Sequence, residues 1–235
     1  MFKQWKKFKL WLKMSFFLPA AYISAVRVAK KDFGLRYEVA RIWANMILRF
    51  TRTRLEINGK ENFPSELGNL IVVNHQGSMD AFVLFSAIET PFSAVGKVEG
   101  AKIPFLGKWY KTMEMVLFDR DSAKDSLRMV KEAAKQLTEG RNVLIFPEGT
   151  RSKSATLGEF KAGALKPAFI AKKPIVPIAL IDSYKVLDEP GGSRFVVGVV
   201  IGKPILYQEY EGKSTQEVTD QVKQIIQTMM DKKEG

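Results

Sequence analysis

The sequence predicts an α/β fold: a single, mostly parallel central sheet flanked by helices, with an N-terminal helical membrane-binding segment. Three observations carry this. Short runs rich in Val, Ile and Phe alternate with amphipathic stretches of helical length. Those runs are apolar throughout, the pattern of strands covered on both faces. Positive charge is also crowded into one end, since residues 1–50 hold 11 Lys and Arg against Asp32 and Glu38, most of a net charge of +12. The division drawn from this is residues 1–50 as a membrane-association segment and 51–235 as one α/β domain.

In the first segment, Phe2, Trp5, Phe8, Trp11 and Leu12 share one face of a helical wheel, and Lys3, Lys6, Lys7 and Lys13 take the other. Residues 14–26 follow without a charge, interrupted by Pro19. A spanning helix needs about 20 apolar residues, so this run predicts a helix pair lying in one leaflet. No A-x-A-like site follows it, which argues against a secretory signal peptide. Three of the four tryptophans also fall here (Trp5, Trp11, Trp43), and indole mixed with lysine suits a membrane interface.

From residue 51 the texture changes. Strands are predicted at "NLIVVN" (69–74), "EMVLFD" (114–119), "NVLIFP" (142–147), "PIVPIAL" (174–180) and "RFVVGVVIG" (194–202). Helices are predicted over 81–87, 121–137, 162–171 and 215–232, the last on the stripe Val218, Val222, Ile225, Ile226 and Met229. No internal repeat or low-complexity segment interrupts this order.

Composition removes several chemistries. With no cysteine, the chain has no disulfide, thiolate metal site or cysteine nucleophile. With one histidine, no common zinc or iron site is expected, and no metal or cofactor is predicted. "QGSMD" is not the G-x-S-x-G elbow of serine hydrolases. "GKST" at 212–215 lacks the upstream glycine of a P-loop. The positive charge sits on an apolar, aromatic segment and not on a groove-reading motif, so no nucleic-acid partner is expected.

Three strand ends remain. The first, "NHQGSMD", carries the single histidine, His75, five residues before Asp80. A carboxylate bonded to one ring nitrogen fixes the tautomer and leaves the other nitrogen as a general base. Alone, the pair reads equally well as a polar loop residue and a helix N-terminal charge. The second, "FPEGTRS", presents Glu148, Gly149, Thr150 and Arg151 on a turn where arginine suits a phosphate. The third, "VLFDR", brings Arg120 to another strand exit. In open α/β sheets such exits line the ligand crevice, so a base and two arginines there outweigh any single member.

These blocks, in this order, resemble the glycerolipid acyltransferase family. "NHQGSMD" is similar to its H-x4-D block, "VLFDR" to its second, "FPEGTRS" to its third and "IVPIAL" to its fourth. "GKVEGAKIPFLGKWY" resembles the segment between the first two blocks, and "EFKAGA" the stretch after the third. The similarity covers roughly residues 50–205. It implies a glycerol-3-phosphate acyltransferase-like fold for 51–235. It also implies transfer of an acyl chain from acyl-coenzyme A or acyl-acyl carrier protein to the sn-2 hydroxyl of 1-acylglycerol 3-phosphate (lysophosphatidic acid), giving phosphatidic acid. Glycerol 3-phosphate or another lysophospholipid is the alternative acceptor. By the resemblance His75 is the base and Asp80 its orienter. Glu148, Gly149, Thr150 and Arg151 hold the acceptor's glycerol phosphate end, with Arg120 and Lys97 completing that site. Membrane lipids are the expected partner of residues 1–50, at the cytoplasmic face of the cell membrane. The second block departs from the family in opening with Glu114 where glycine is usual, and a carboxylate facing the phosphate would repel it.

Overall fold

The computed structural model describes residues 17–188 and 194–232. Two helices open it, α1 over 17–28 and α2 (Phe33–Phe50). Then come β1 (Thr53–Asn58), β2 (Leu70–Val73), α3 (Asp80–Ala87), β3 (Phe92–Lys97), α4 (Pro104–Thr112) and β4 (Val116–Phe118). The chain continues through α5 (Ala123–Thr138), β5 (Asn142–Ile145), α6 (Lys166–Ala171), β6 (Ile175–Ile181), α7 (Lys185–Asp188), β7 (Phe195–Ile201), α8 (Tyr207–Tyr210) and α9 (Thr215–Asp231).

The seven strands form one sheet in the order β1-β7-β6-β2-β5-β3-β4. Neighbours from β6 to β4 are parallel, and so are β1 and β7. The β6–β7 pair is antiparallel and turns the last two strands against the rest. The mostly parallel sheet predicted from the apolar runs is therefore present. Alternate side chains of each central strand feed two cores. Leu70, Val72, Val143 and Ile145 meet α5, α6 and α9 on one face. Ile71, Val73, Leu144, Val176 and Ile178 meet α2 and α3 on the other.

Local signals explain the major helices. Asp32 caps α2 by accepting from the Leu35 N–H at 2.9 Å. Ser122 does the same for α5, whose buried stripe is Met129, Val130, Ala133, Ala134 and Leu137. Ser214 and Glu217 form a reciprocal capping box at the start of α9.

Parts of the fold differ from the sequence reading. The strands β1 and β3 and the helix α4 were not expected, whereas α2 falls in the segment predicted to be helical. β1 reads as polar alternation (TRLEIN) at a sheet edge, and β3 carries Ser93 and Gly96, so neither shows a continuous apolar run. The division at residue 50 also cuts through packed structure. Tyr37, Ala40 and Leu48 of α2 join the same core as β2, β5 and β6, and the Tyr37 hydroxyl donates to the Ile88 carbonyl at 3.0 Å. By its contacts α2 belongs to the α/β body. The amphipathic face proposed for residues 2–12 and the start of the apolar run lie outside the described residues. The rest of that run lies in α1, which includes Pro19. Among the described residues no helix is long and apolar enough to cross a membrane.

Candidate active site

The site is built where β2, β5 and β6, adjacent and parallel, end together. Past Val73, Asn74 keeps the β2–β6 ladder going with its side chain. Its Nδ2 donates to the Leu180 carbonyl at 3.0 Å and its Oδ1 accepts from the Leu180 N–H at 2.7 Å. His75 is thus the first residue to leave the sheet.

Asp80, at the start of α3, is fully buried yet surrounded by donors. Its carboxylate accepts from the Gln76 N–H at 2.7 Å, the Gly77 N–H at 3.0 Å, the Ser183 hydroxyl at 2.5 Å and His75 Nδ1 at 2.7 Å. An unpaired buried carboxylate costs several kcal/mol, and these bonds offset that cost. An ionised carboxylate only accepts, so Nδ1 carries the hydrogen and Nε2 keeps a lone pair. Nε2 makes no hydrogen bond among the described residues. The ring stacks on Phe146, 4.0 Å between centroids and 17° between planes, which fixes its plane. Gly77 is required for this turn, since a Cβ there would lie 2.9 Å from Tyr184 Cα on the loop carrying Ser183.

The β5 exit locks onto the same turn. Ser152 N–H donates to the His75 carbonyl at 2.8 Å, and Lys153 N–H to that of Gln76 at 3.0 Å. Arg151 Nη1 donates to the Ser78 hydroxyl, joining the two loops at the surface. Glu148 points inward. Its Oε1 accepts from the His75 N–H at 2.7 Å, and its Oε2 from the Gly158 N–H at 2.9 Å. Burial pushes the Glu148 carboxyl above the usual range, the two backbone donors pull against this, and the negative Asp80 nearby adds to the rise. Glu148 thus ties the two ends of its own loop to the His75 loop from beneath, while Thr150 and Arg151 are exposed beside His75.

Lys97 and Arg120 lie further along the same sheet edge. β3 and β4 are two and three strands from β2, about 10 and 14 Å at the usual spacing. Lys97 pairs with Glu99 at 2.9 Å. Arg120 Nε is buried without a hydrogen-bond partner among the described residues. No hydrogen bond joins either residue to His75 or Arg151 among the described residues.

Glu114 is at the other edge. It precedes the amino end of β4, and its carboxylate bonds Arg36 of α2 at 2.6 Å and Arg141, just before β5, at 3.0 Å. Its φ of 52° is left-handed, which gives a physical reason for glycine at this position in the family the sequence resembles. The departure from the family pattern therefore lies away from the strand exits.

Sequence reasoning missed Ser183, Gln76 and Gly158. Ser183 follows a strand, as His75 does, but only the pairing of β6 with β2 brings it to Asp80.

This arrangement sets a carboxylate-bonded histidine ring beside an exposed arginine, and several known proteins are similar to the chain that carries it. The chloroplast 1-acyl-sn-glycerol-3-phosphate acyltransferase of Arabidopsis thaliana is 33% identical over 173 residues, 71% of this chain and 48% of the relative. The 1-acyl-sn-glycerol-3-phosphate acyltransferase of Pseudomonas aeruginosa is 31% identical over 211 residues, 86% of this chain and 77% of the relative. The chain spans about half the length of the chloroplast relatives it matches. The crystal structure of the 1-acyl-sn-glycerophosphate acyltransferase PlsC from Thermotoga maritima shares the fold, with a TM-score of 0.69 and 20% identity over 95% of this chain and 89% of that one. The Acyltransferase family model matches residues 54–181, which hold His75, Asp80 and the Glu148–Arg151 turn, and the chain belongs to that family.

Proposed function

We propose that the protein transfers an acyl chain from a thioester to the sn-2 hydroxyl of 1-acylglycerol 3-phosphate, forming phosphatidic acid. The observation that carries this is the His75–Asp80 pair, 2.7 Å apart, with the Arg151 turn bonded to the same loop. The hydroxyl oxygen bonds to the thioester carbonyl carbon while its proton passes to His75 Nε2. When the tetrahedral intermediate collapses, the C–S bond breaks and the imidazolium returns the proton to the departing thiolate. The sequence needs no covalent enzyme intermediate. The donor is acyl-coenzyme A or acyl-acyl carrier protein, and no cofactor takes part in these steps.

Arg151, exposed beside the base, takes the acceptor's phosphate, with Arg120 and Lys97 approaching from the β4 and β3 exits. The acceptor and product are membrane lipids, and the reading places the protein at a membrane surface, on its cytoplasmic face. Support comes from the exposed Tyr22, Ile23 and Val26 of α1, the exposed Ile42 of α2, and the basic charge of residues 1–50. Each Lys or Arg near an anionic surface contributes about 1 kcal/mol.

Purified protein given an acyl thioester should release free thiol with lysophosphatidate and far more slowly with glycerol 3-phosphate. Arg151→Ala should raise the KM for lysophosphatidate about tenfold or more, the loss expected of a charge-assisted phosphate contact. Equal rates with both acceptors, or an unchanged KM, would refute the acceptor assignment.

A further inference from the structure

We infer that Ser183 is a positioning residue of the catalytic base: its hydroxyl, bonded to the far oxygen of Asp80, sets how strongly Asp80 holds His75. This rests on the reading of His75 as the base. The geometry is specific. Ser183 is buried beyond the end of β6, and its Oγ lies 2.5 Å from Asp80 Oδ1 and 3.2 Å from Gln76 Oε1. A hydroxyl has one hydrogen, and the shorter, charged acceptor takes it. The Ser183 N–H donates separately to Gln76 Oε1 at 3.1 Å, which fixes that amide's orientation and leaves the hydroxyl to Asp80.

The backbone is bent to make this contact. Asp182, between β6 and Ser183, is left-handed with φ of 66°, and its carboxylate is held by Lys185 at 3.0 Å. Aspartate is among the few residues besides glycine that adopt this conformation, because its short polar side chain bonds locally. Here the left-handed turn at Asp182 brings Ser183 back under the His75 loop, where Gly77 permits the approach to Tyr184.

The resulting chain runs Ser183 Oγ–H to Asp80, and His75 Nδ1–H to Asp80 from the other side. A donor on a carboxylate stabilises its charge and lowers its basicity. Removing the Ser183 hydroxyl leaves Asp80 more basic, so it grips the imidazolium harder and raises the pH at which His75 loses its proton. The charged groups facing His75 are Asp80 and Glu148. Arg151 stands next to its loop through Ser78, and the Asp182–Lys185 pair flanks Ser183.

His75 is the chain's only histidine, so one imidazole resonance reports its titration without assignment by mutation. In Ser183→Ala the midpoint should rise by about half a pH unit, and kcat should fall about tenfold with acceptor KM within about twofold. Ser183→Thr, which keeps a hydroxyl, should return both toward wild type. An unchanged midpoint in Ser183→Ala would overturn the inference, as would a Thr variant no closer to wild type than Ala. Should Ser183→Ala not fold, Ser183→Cys, nearly isosteric and a weak donor, is titrated against the same criteria. The titration needs no substrate, so failure of acyl transfer in the wild type would count against the proposed function and leave this coupling to be judged by itself.

Discussion

At the scale of single residues, the site is a set of side chains each held by more bonds than one role requires. Asp80 takes four donors and Glu148 two, all but one of them backbone N–H groups or the His75 ring. Glu148 carries a measurable signature. Its folded-state carboxyl titrates above the usual value of 4.5, so the protonated form is favoured by folding. That contribution is fully present below pH about 4.5 and is lost as pH rises through the raised folded value. Denaturant unfolding of wild type and Glu148→Gln should show the wild type gaining relative stability at pH 4 compared with pH 8. A difference independent of pH would contradict the burial argument. The residue scale also shows how sequence could and could not speak. His75, Asp80 and Arg151 were legible because their side-chain chemistry is the signal. Ser183 was not, since a serine after a strand is ordinary until the strand order places it against Asp80.

Among elements, what matters is that the parallel strands β2, β5 and β6 end at one edge while their loops interlock. The predicted strands fell where apolar runs were unbroken. β1 and β3 escaped because an edge strand needs only one apolar face, and because Gly96 and Ser93 interrupt the run. Helix α2 falls in the segment predicted to be helical, but its packing was not legible: basic and aromatic composition pointed to a lipid surface, yet successive turns of the helix supply Tyr37, Ala40, Ala44 and Leu48 to the core. At the opposite edge, Glu114 ties the β4 entrance to α2 and to Arg141, whose guanidinium also stacks 3.6 Å over the Phe33 ring. Replacing it with glycine relieves left-handed strain but adds chain entropy, and these roughly offset. The loss of two partly exposed ion pairs remains, about 1 kcal/mol after solvent screening. Glu114→Gly should therefore lower Tm by a few degrees while leaving the acceptor KM within about twofold. A large KM change would put Glu114 at the acceptor site after all.

For the whole molecule, charge and shape divide the work. Most of the net positive charge belongs to residues 1–50, whereas His75, Asp80 and Arg151, the proposed site, sit at loops and a helix start beyond the strand ends of a sheet with two apolar cores. The central claim is that His75, oriented by Asp80, is the base for acyl transfer to a lysophospholipid acceptor. The most direct test is thiol release from an acyl thioester in the presence of lysophosphatidate by wild type and His75→Ala, with sedimentation on anionic vesicles as the check that the variant is folded and surface-bound. The account predicts that His75→Ala binds vesicles as wild type does and loses about a hundredfold or more in rate, the usual contribution of a positioned base. A variant that binds and still turns over at the wild-type rate would contradict it.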